Sequence, residues 1–460
     1  MNVATMTRAT AVSAAQSRAP ARFWMWLLGA ALVGYAVLGK GFAYLSIPPL
    51  YASELLLSMG LLCVACEPGA LFRAVALHRT TVPLYLFMAW GAVRTLPYLS
   101  EHGMDALRDG VLWGYGLFAI LVLAVASRGV QMLQWMVKAF RRFALLYPYL
   151  TIVALLVQIA GVALPTLPDS KVPILSNKTG DIAVHLAGVS VFFLVGLLRV
   201  RGVLWFASVF ASVLICASGN RGAALSYLAA TALVLLFSPR ARSLAVRFLL
   251  LVALLLGLTL FIDPDVRLHQ DREISLRQLA INYASIVTSL SDNPGNTEGT
   301  KQWRLMWWKR IIDYTIFGDY FWSGRGYGVN LTTADGFRSE SGLLRSPHNV
   351  HMTILARSGV IGLALWLLLQ GAWLAQVLRW RLRARRARHS QWAAMFLALA
   401  AYWVAFMVNA SFDVFLEGPM GGVWFWVVFG FGLAAVRVYD GWATRAIREQ
   451  AALTPMVVAR

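Results

Sequence analysis

The chain has 460 residues, 59% of them apolar and only 13% charged, and its mean hydropathy is +0.64. Soluble globular domains carry about a quarter charged residues, so this composition excludes an ordinary water-soluble protein. Forty-one Lys and Arg against 21 Asp and Glu leave a net charge of +20, which fits nucleic acid, an acidic lipid surface or bilayer orientation until the charges are located.

Residues 1–22 are polar, with Arg8 and Arg18 and no acid, and read as a cytoplasmic tail rather than a transit peptide. A spanning helix needs about 20 mostly apolar residues. Such runs occur near 23–39, 49–66, 81–99, 110–126, 143–164, 182–198, 202–217, 221–238, 245–262, 349–378, 391–410 and 419–437. The prediction is an all-α polytopic membrane protein of about 12 transmembrane helices, nine within 23–262 and three within 348–437, followed by a tail over 438–460. Cys63 and Cys66 form a C-x-x-C inside an apolar run with no further ligands nearby, and read as small helical residues.

The cations set the orientation. With the N-terminus inside, 24 of the 41 Lys and Arg fall on inside segments, among them the run Arg379, Arg381, Arg383, Arg385, Arg386 and Arg388. The short outside loops hold only Lys40, Arg108, Lys171, Lys178 and Arg221. By the positive-inside rule both termini are cytoplasmic, and the Arg run is an anchor rather than a nucleic-acid patch.

One outside connection, residues 263–347, is too long for a simple loop. Leu276, Leu279, Ala280, Tyr283, Ile286, Val287 and Leu290 recur at helical spacing, and the turn-rich 291–296 follows. A second helix is predicted from about Lys301 to Tyr314. Its Trp303, Trp307 and Trp308 lie beside Arg304, Lys309 and Arg310, which suits either the membrane interface or packing on the spans.

Polar residues that the bilayer does not require gather at the end of this loop. Ser323-Gly324-Arg325-Gly326-Tyr327-Gly328 precedes Ser346-Pro347-His348-Asn349-Val350-His351. Glycines around Arg325 allow the backbone to turn closely about a ligand, and its guanidinium can hold two phosphate oxygens. An imidazole at His348 can take a proton from a hydroxyl. Arg221, in Ser218-Gly219-Asn220-Arg221-Gly222, stands on the side that normally avoids cations. Two Arg and a His on one face suit an anionic, phosphorylated, lipid-linked substrate. Arg94 and Arg357 fall within spans and have no assigned place.

His348-Asn349, nine residues, then Gly359-Val360-Ile361-Gly362 match the pattern H-[N/S/Q]-x9-G-x2-[G/T/Y]. The chain thereby resembles the bacterial O-antigen ligases and their relatives, the O-antigen polymerases and O-linked protein oligosaccharyltransferases. The motif covers about 15 residues; the twelve-span plan and the large outside loop resemble the superfamily over most of the chain. The resemblance implies a membrane glycosyltransferase of the C-type class in the bacterial inner membrane, acting on the periplasmic face without metal or cofactor. Its donor would be a glycan on undecaprenyl pyrophosphate and its acceptor a sugar hydroxyl of lipid A–core. Carried over, His348 is the general base and Arg221 and Arg325 bind pyrophosphate, with inversion at the anomeric carbon.

The residues agree with a site that uses no metal. The first outside loop, Lys40 to Pro48, has no carboxylate, and Asp263-Pro264-Asp265 reads as a membrane-exit turn. Asp413 is the candidate to orient His348, Asn349 its neighbour in the motif, and His351 a reserve base. A polymerase or protein-glycosylating enzyme differs mainly in acceptor and stays open as an alternative. A flippase would be expected to show two related halves and charges deep in its spans, whereas here the polar residues cluster on one face and no repeat is apparent.

Overall fold

The computed structural model describes residues 18–47, 50–76, 81–168, 170–244, 266–268, 272–274, 297–337 and 344–458. The described chain is helical, apart from two short antiparallel ladders that pair Ser46–Ile47 with Leu50–Tyr51 and Val266–Leu268 with Arg272–Ile274. Its main helices are α1 (Arg18–Leu38), α2 (Ala52–Ala65), α3 (Thr81–Thr95), α4 (Met104–Gly114), α5 (Gly116–Ala126), α6 (Val130–Ile159) and α7 (Thr179–Leu194). They continue with α8 (Val203–Gly219), α9 (Arg221–Phe237), α10 (Thr297–Thr315), α11 (Val350–Arg386), α12 (Ser390–Ala410) and α13 (Pro419–Val458).

Among the described residues five helices are long and apolar enough to cross a membrane, within α1, α6, α11, α12 and α13, and α4 with α5, bent by 42°, would make a sixth. This is a multi-pass membrane architecture, because helices satisfy their own backbone groups where no water can. Four more apolar helices, α2, α7, α8 and α9, have 14 to 17 residues. At 1.5 Å per residue they reach at most about 26 Å, just short of a hydrocarbon core of about 30 Å. The predicted span at 245–262, the loop helix near 276–290, its turn at 291–296 and Asp263-Pro264-Asp265 lie outside the described residues, as do residues 1–17 of the predicted tail.

Three helices run well past their apolar runs; α11 continues beyond 378 to Arg386, so most of the arginine run read as a connection is helical. The segment predicted from 143 begins at Val130, where Leu133, Met136, Val137 and Phe140 pack on the bundle while Lys138, Arg141 and Arg142 stay outside. α13 runs past 437 to Val458, so the predicted tail is largely helical; its Tyr439 is buried against Trp380 and Trp392 at ring distances of 5.7 and 5.0 Å. The loop helix α10 packs on the spans: Trp307 and Ile311 are fully buried against Leu355 and Ala356 of α11.

The bundle closes around α7, which is buried from Gly180 to Phe192. Small residues make this possible, since close helix approach drives association where water cannot. α9 lies against α7 and α12, α11 against α12 and α3, and α13 against α5.

α11 is broken at Gly359, with φ 66° and ψ −167°. The break releases carbonyls that the incoming loop caps: Arg325 N–H donates to Ala356 O at 2.7 Å, Gly326 N–H to Arg357 O at 3.0 Å, and the Trp90 indole to Ser358 O at 2.9 Å. In return Val360 N–H donates to Phe321 O at 2.7 Å. A Cβ on Gly359 would lie 2.6 Å from the backbone of Phe321 and Trp322, so the first glycine of the motif is required by this junction. Gly359→Ala is expected to destabilise the protein by at least about 1–2 kcal/mol from the left-handed backbone alone. Gly371→Ala, in the same helix with nothing within 4 Å, should be neutral or slightly stabilising. Thermal unfolding of both variants in detergent checks the pair; equal melting temperatures would contradict the assignment.

Candidate functional site

The site grows from the start of α11. Asn349 is its N-cap, and the side-chain oxygen accepts from His351 N–H at 2.9 Å and Met352 N–H at 3.2 Å. Asn is among the best residues for this role, which gives the second motif position a structural purpose. His348, just before the cap, holds a left-handed backbone with φ 53°. A bulky residue pays for that conformation, and such strain persists where surrounding structure enforces it, often at functional sites. Pro347 is fixed from behind by the Trp308 indole, which donates to its carbonyl at 3.0 Å.

The strain aims the imidazole at the loop between α12 and α13. Nδ1 of His348 is 3.3 Å from Oδ1 of Asp413. The same carboxylate oxygen accepts from the Lys178 ammonium at 2.9 Å and from Val414 N–H at 2.7 Å. With Nδ1–H given to the carboxylate, Nε2 is left as the basic nitrogen. Burial works against a charged Asp413, but the hydrogen bond from His348 and the Lys178 charge outweigh it and hold the carboxyl well below the usual range. Burial opposes a charged Lys178 too, and Asp413 and Asp181 more than offset it.

Three helices begin at this loop. Lys178 precedes α7. Asn220 caps α9, accepting from Gly222 N–H at 2.8 Å, and a Cβ on Gly222 would lie 3.2 Å from Phe412 Cβ. α11 follows His348. Helix N-termini carry partial positive charge and exposed N–H groups, so their convergence on Ser411–Asp413 favours an anion. Arg221 is the first residue of α9 and therefore stands here. Arg304 of α10 reaches the same loop, donating to Phe412 O at 3.0 Å.

His351 is engaged on both sides. The Trp366 indole donates to its Nδ1 at 3.2 Å, and Nε2 lies 3.2 Å from the Ser411 hydroxyl. Both ring nitrogens of His351 thus meet neighbouring side chains beside the Ser411 loop.

Arg325 sits apart. Its backbone docks beside Ala356, about 12 Å along α11 from His348. Its guanidinium is 3.4 Å from Asp335, donates to Ala334 O at 3.1 Å and covers the Tyr314 ring at 4.3 Å. Gly324, with φ 61°, places its Cβ position 2.5 Å from the Arg357 and Ser358 backbone. The glycine turn thus wraps another stretch of backbone, where the sequence suggested a ligand. Arg357 and Arg345 fasten the same loop: Arg357 is 2.9 Å and Arg345 is 3.2 Å from Asp109. Arg94 donates to Ser323 O at 2.7 Å.

Sequence reasoning missed Lys178 and Arg304. Lys178 carries the signal that marked Arg221, a cation in a connection at a helix start. Among the described residues no group of three or more His, Cys, Asp or Glu side chains is placed to hold a metal ion.

A depressed carboxyl pKa stabilises the fold above the unfolded value, about 4, and that stability drains as pH falls below it. Asp413→Asn should therefore lower stability at pH 7 by about 1–3 kcal/mol, with the gap to wild type closing below about pH 4. Melting curves from pH 3 to 8 measure this; a gap independent of pH would remove the charge from the explanation.

Residues 206–367 match the family model described as O-antigen ligase. The match contains Arg221, Arg325, His348, Gly359 and Gly362, while Lys178 and Asp413 lie beyond it. No curated protein matches the chain. The match spans about a third of the chain and, beside the multi-pass helical architecture, shows a likeness to the O-antigen ligases over that stretch.

Proposed function

We propose that the protein is an O-antigen ligase of the bacterial inner membrane. It transfers a glycan from undecaprenyl pyrophosphate to a sugar hydroxyl of lipid A–core, completing lipopolysaccharide. In this reading the chain crosses the membrane twelve times in the membrane C-type arrangement, both termini are cytoplasmic and the site is periplasmic. The excess of inside cations supports that orientation.

The observation that carries the reading is the strained His348, held on Asp413 where three helix N-termini meet. Nε2 of His348 takes the proton of the acceptor hydroxyl as its oxygen attacks the anomeric carbon. The bond from that carbon to the pyrophosphate oxygen breaks, undecaprenyl pyrophosphate leaves with the electron pair, and the centre inverts. Asp413 stays ionised and stabilises the imidazolium, with Lys178 keeping it so. Charge developing on the leaving group needs fixed cations and dipoles. Arg221 at the start of α9 supplies one, and the step needs neither metal nor cofactor. Arg325 supplies a second by exchanging Asp335 for a phosphate.

The test is transfer by purified protein from an undecaprenyl-pyrophosphate-linked glycan to lipid A–core, with EDTA present, read as a gel shift of the core. Elongation of the donor glycan without transfer would replace the ligase by a polymerase, and glycan appearing on protein would indicate an oligosaccharyltransferase. His348→Ala should slow transfer about 10²–10⁴-fold while donor binding persists. Near-normal turnover in that variant would remove the general-base role. Arg221→Ala should weaken donor binding about tenfold or more. Arg325→Ala should do the same, whereas a lowered melting temperature with unchanged affinity would leave Arg325 as a loop anchor only.

A further inference from the structure

A second feature lies deeper in the bundle. A cleft of about 390 Å³ opens between α1, α6, α7, α12 and α13. Gly188 of α7, Tyr402 of α12 and Trp424 of α13 line it, each seven residues from Asp181, Asn409 or Glu417 near the loop, so the cleft begins about 10 Å below the site. From there it extends along α6 from Leu150 back to Trp135.

Aromatic rings close it off from the site. His185 is surrounded by Tyr147, Tyr402, Phe406, Phe415 and Trp424 at ring distances of 4.8–6.3 Å, and its Nδ1 meets the Tyr402 hydroxyl at 2.7 Å. Among the described residues these rings stand between the His348 side and the cleft.

The lining is almost wholly apolar, with Leu28, Leu32, Phe140, Phe143 and Phe192 among its walls. An apolar cavity does not hold water, and between membrane helices the molecule that reaches it is hydrocarbon. Among the described residues of the lining, Arg142 is the one charged side chain, and it is exposed. Trp26 and Trp135 also line the cleft, edge to face at 5.6 Å, and Trp26 is exposed. Trp135 shares α6 with Arg142, two turns further on, and indoles and cations gather at the lipid headgroup level. Lys138 and Arg141 add charge on the same helix, and α6 contains no Asp or Glu to oppose it. The combination selects a molecule with an apolar chain and a negative head.

We propose that this cleft binds one anionic glycerophospholipid, with an acyl chain between α1 and α6 and the phosphate against Arg142. The lipid joins α1 to α12 and α13, and so supports the bundle below the site without contacting the donor. The inference requires only the membrane setting and stands or falls separately from the transfer reaction.

Full-length protein in detergent, titrated with phosphatidylglycerol or phosphatidylcholine and examined by native mass spectrometry, tests it. Wild type should hold one phosphatidylglycerol about fivefold more tightly than phosphatidylcholine. Arg142→Gln should erase that preference while keeping the chain folded. Gly29→Leu, whose new side chain enters open space on the cleft wall, should reduce retention of both lipids. Equal retention of the two lipids by wild type, or an unchanged preference in Arg142→Gln, would overturn the proposal. Displacement of phosphatidylglycerol by undecaprenyl phosphate would also overturn it, by assigning the cleft to the donor tail. If Gly29→Leu fails to accumulate, the Arg142→Gln comparison decides alone.

Discussion

A buried carboxylate must be paid for by its neighbours, and Asp413 is the point where this bundle does so. The loop carrying it would be unfavourable for a negative charge if only apolar helices surrounded it. Instead α7, α9 and α11 all begin there, and Lys178 and His348 donate to one carboxylate oxygen. The N-terminal dipoles that tolerate Asp413 also create a positive field beyond it. Structure and proposed chemistry therefore draw on one arrangement: the helix N-termini that surround the carboxylate are also where Arg221 would receive a pyrophosphate.

The motif has a divided purpose. His348 faces the loop; Asn349 starts the helix; Gly359 breaks it. Between cap and break lie just over two turns of α11, whose last carbonyls accept from the Arg325 loop. The nine-residue spacing thus measures the distance from the proposed base to the place where the outside loop is clamped. Asp109 reinforces the clamp by pairing with both Arg345 and Arg357. A change at the glycine, about three turns from the imidazole, would act on the site through the loop it releases.

Much of this was legible in the chain because it is written locally. Apolar runs mark the helices, and the His-Asn-x9-Gly spacing marks the start and the break of α11. The start of α6 was not legible, because Lys138, Arg141 and Arg142 resemble a loop until one sees them on the outer face of a continuing helix. Arg325 shows a different limit. Its glycines announce a tight turn, but whether the turn wraps a ligand or the broken α11 depends on a contact some 30 residues away. Lys178 and Asp413 are 235 positions apart, and no local pattern joins them.

The central claim is that the leaving pyrophosphate sits where α7, α9 and α11 meet, within reach of Arg221 and facing Nε2 of His348. A cryo-EM structure with a bound undecaprenyl-pyrophosphate glycan addresses it directly. The account predicts phosphate density at the start of α9 beside the Ser411–Asp413 loop, with the anomeric carbon turned toward His348. Pyrophosphate density away from all three helix N-termini, with His348 still closed on Asp413 and far from the sugar, would contradict it.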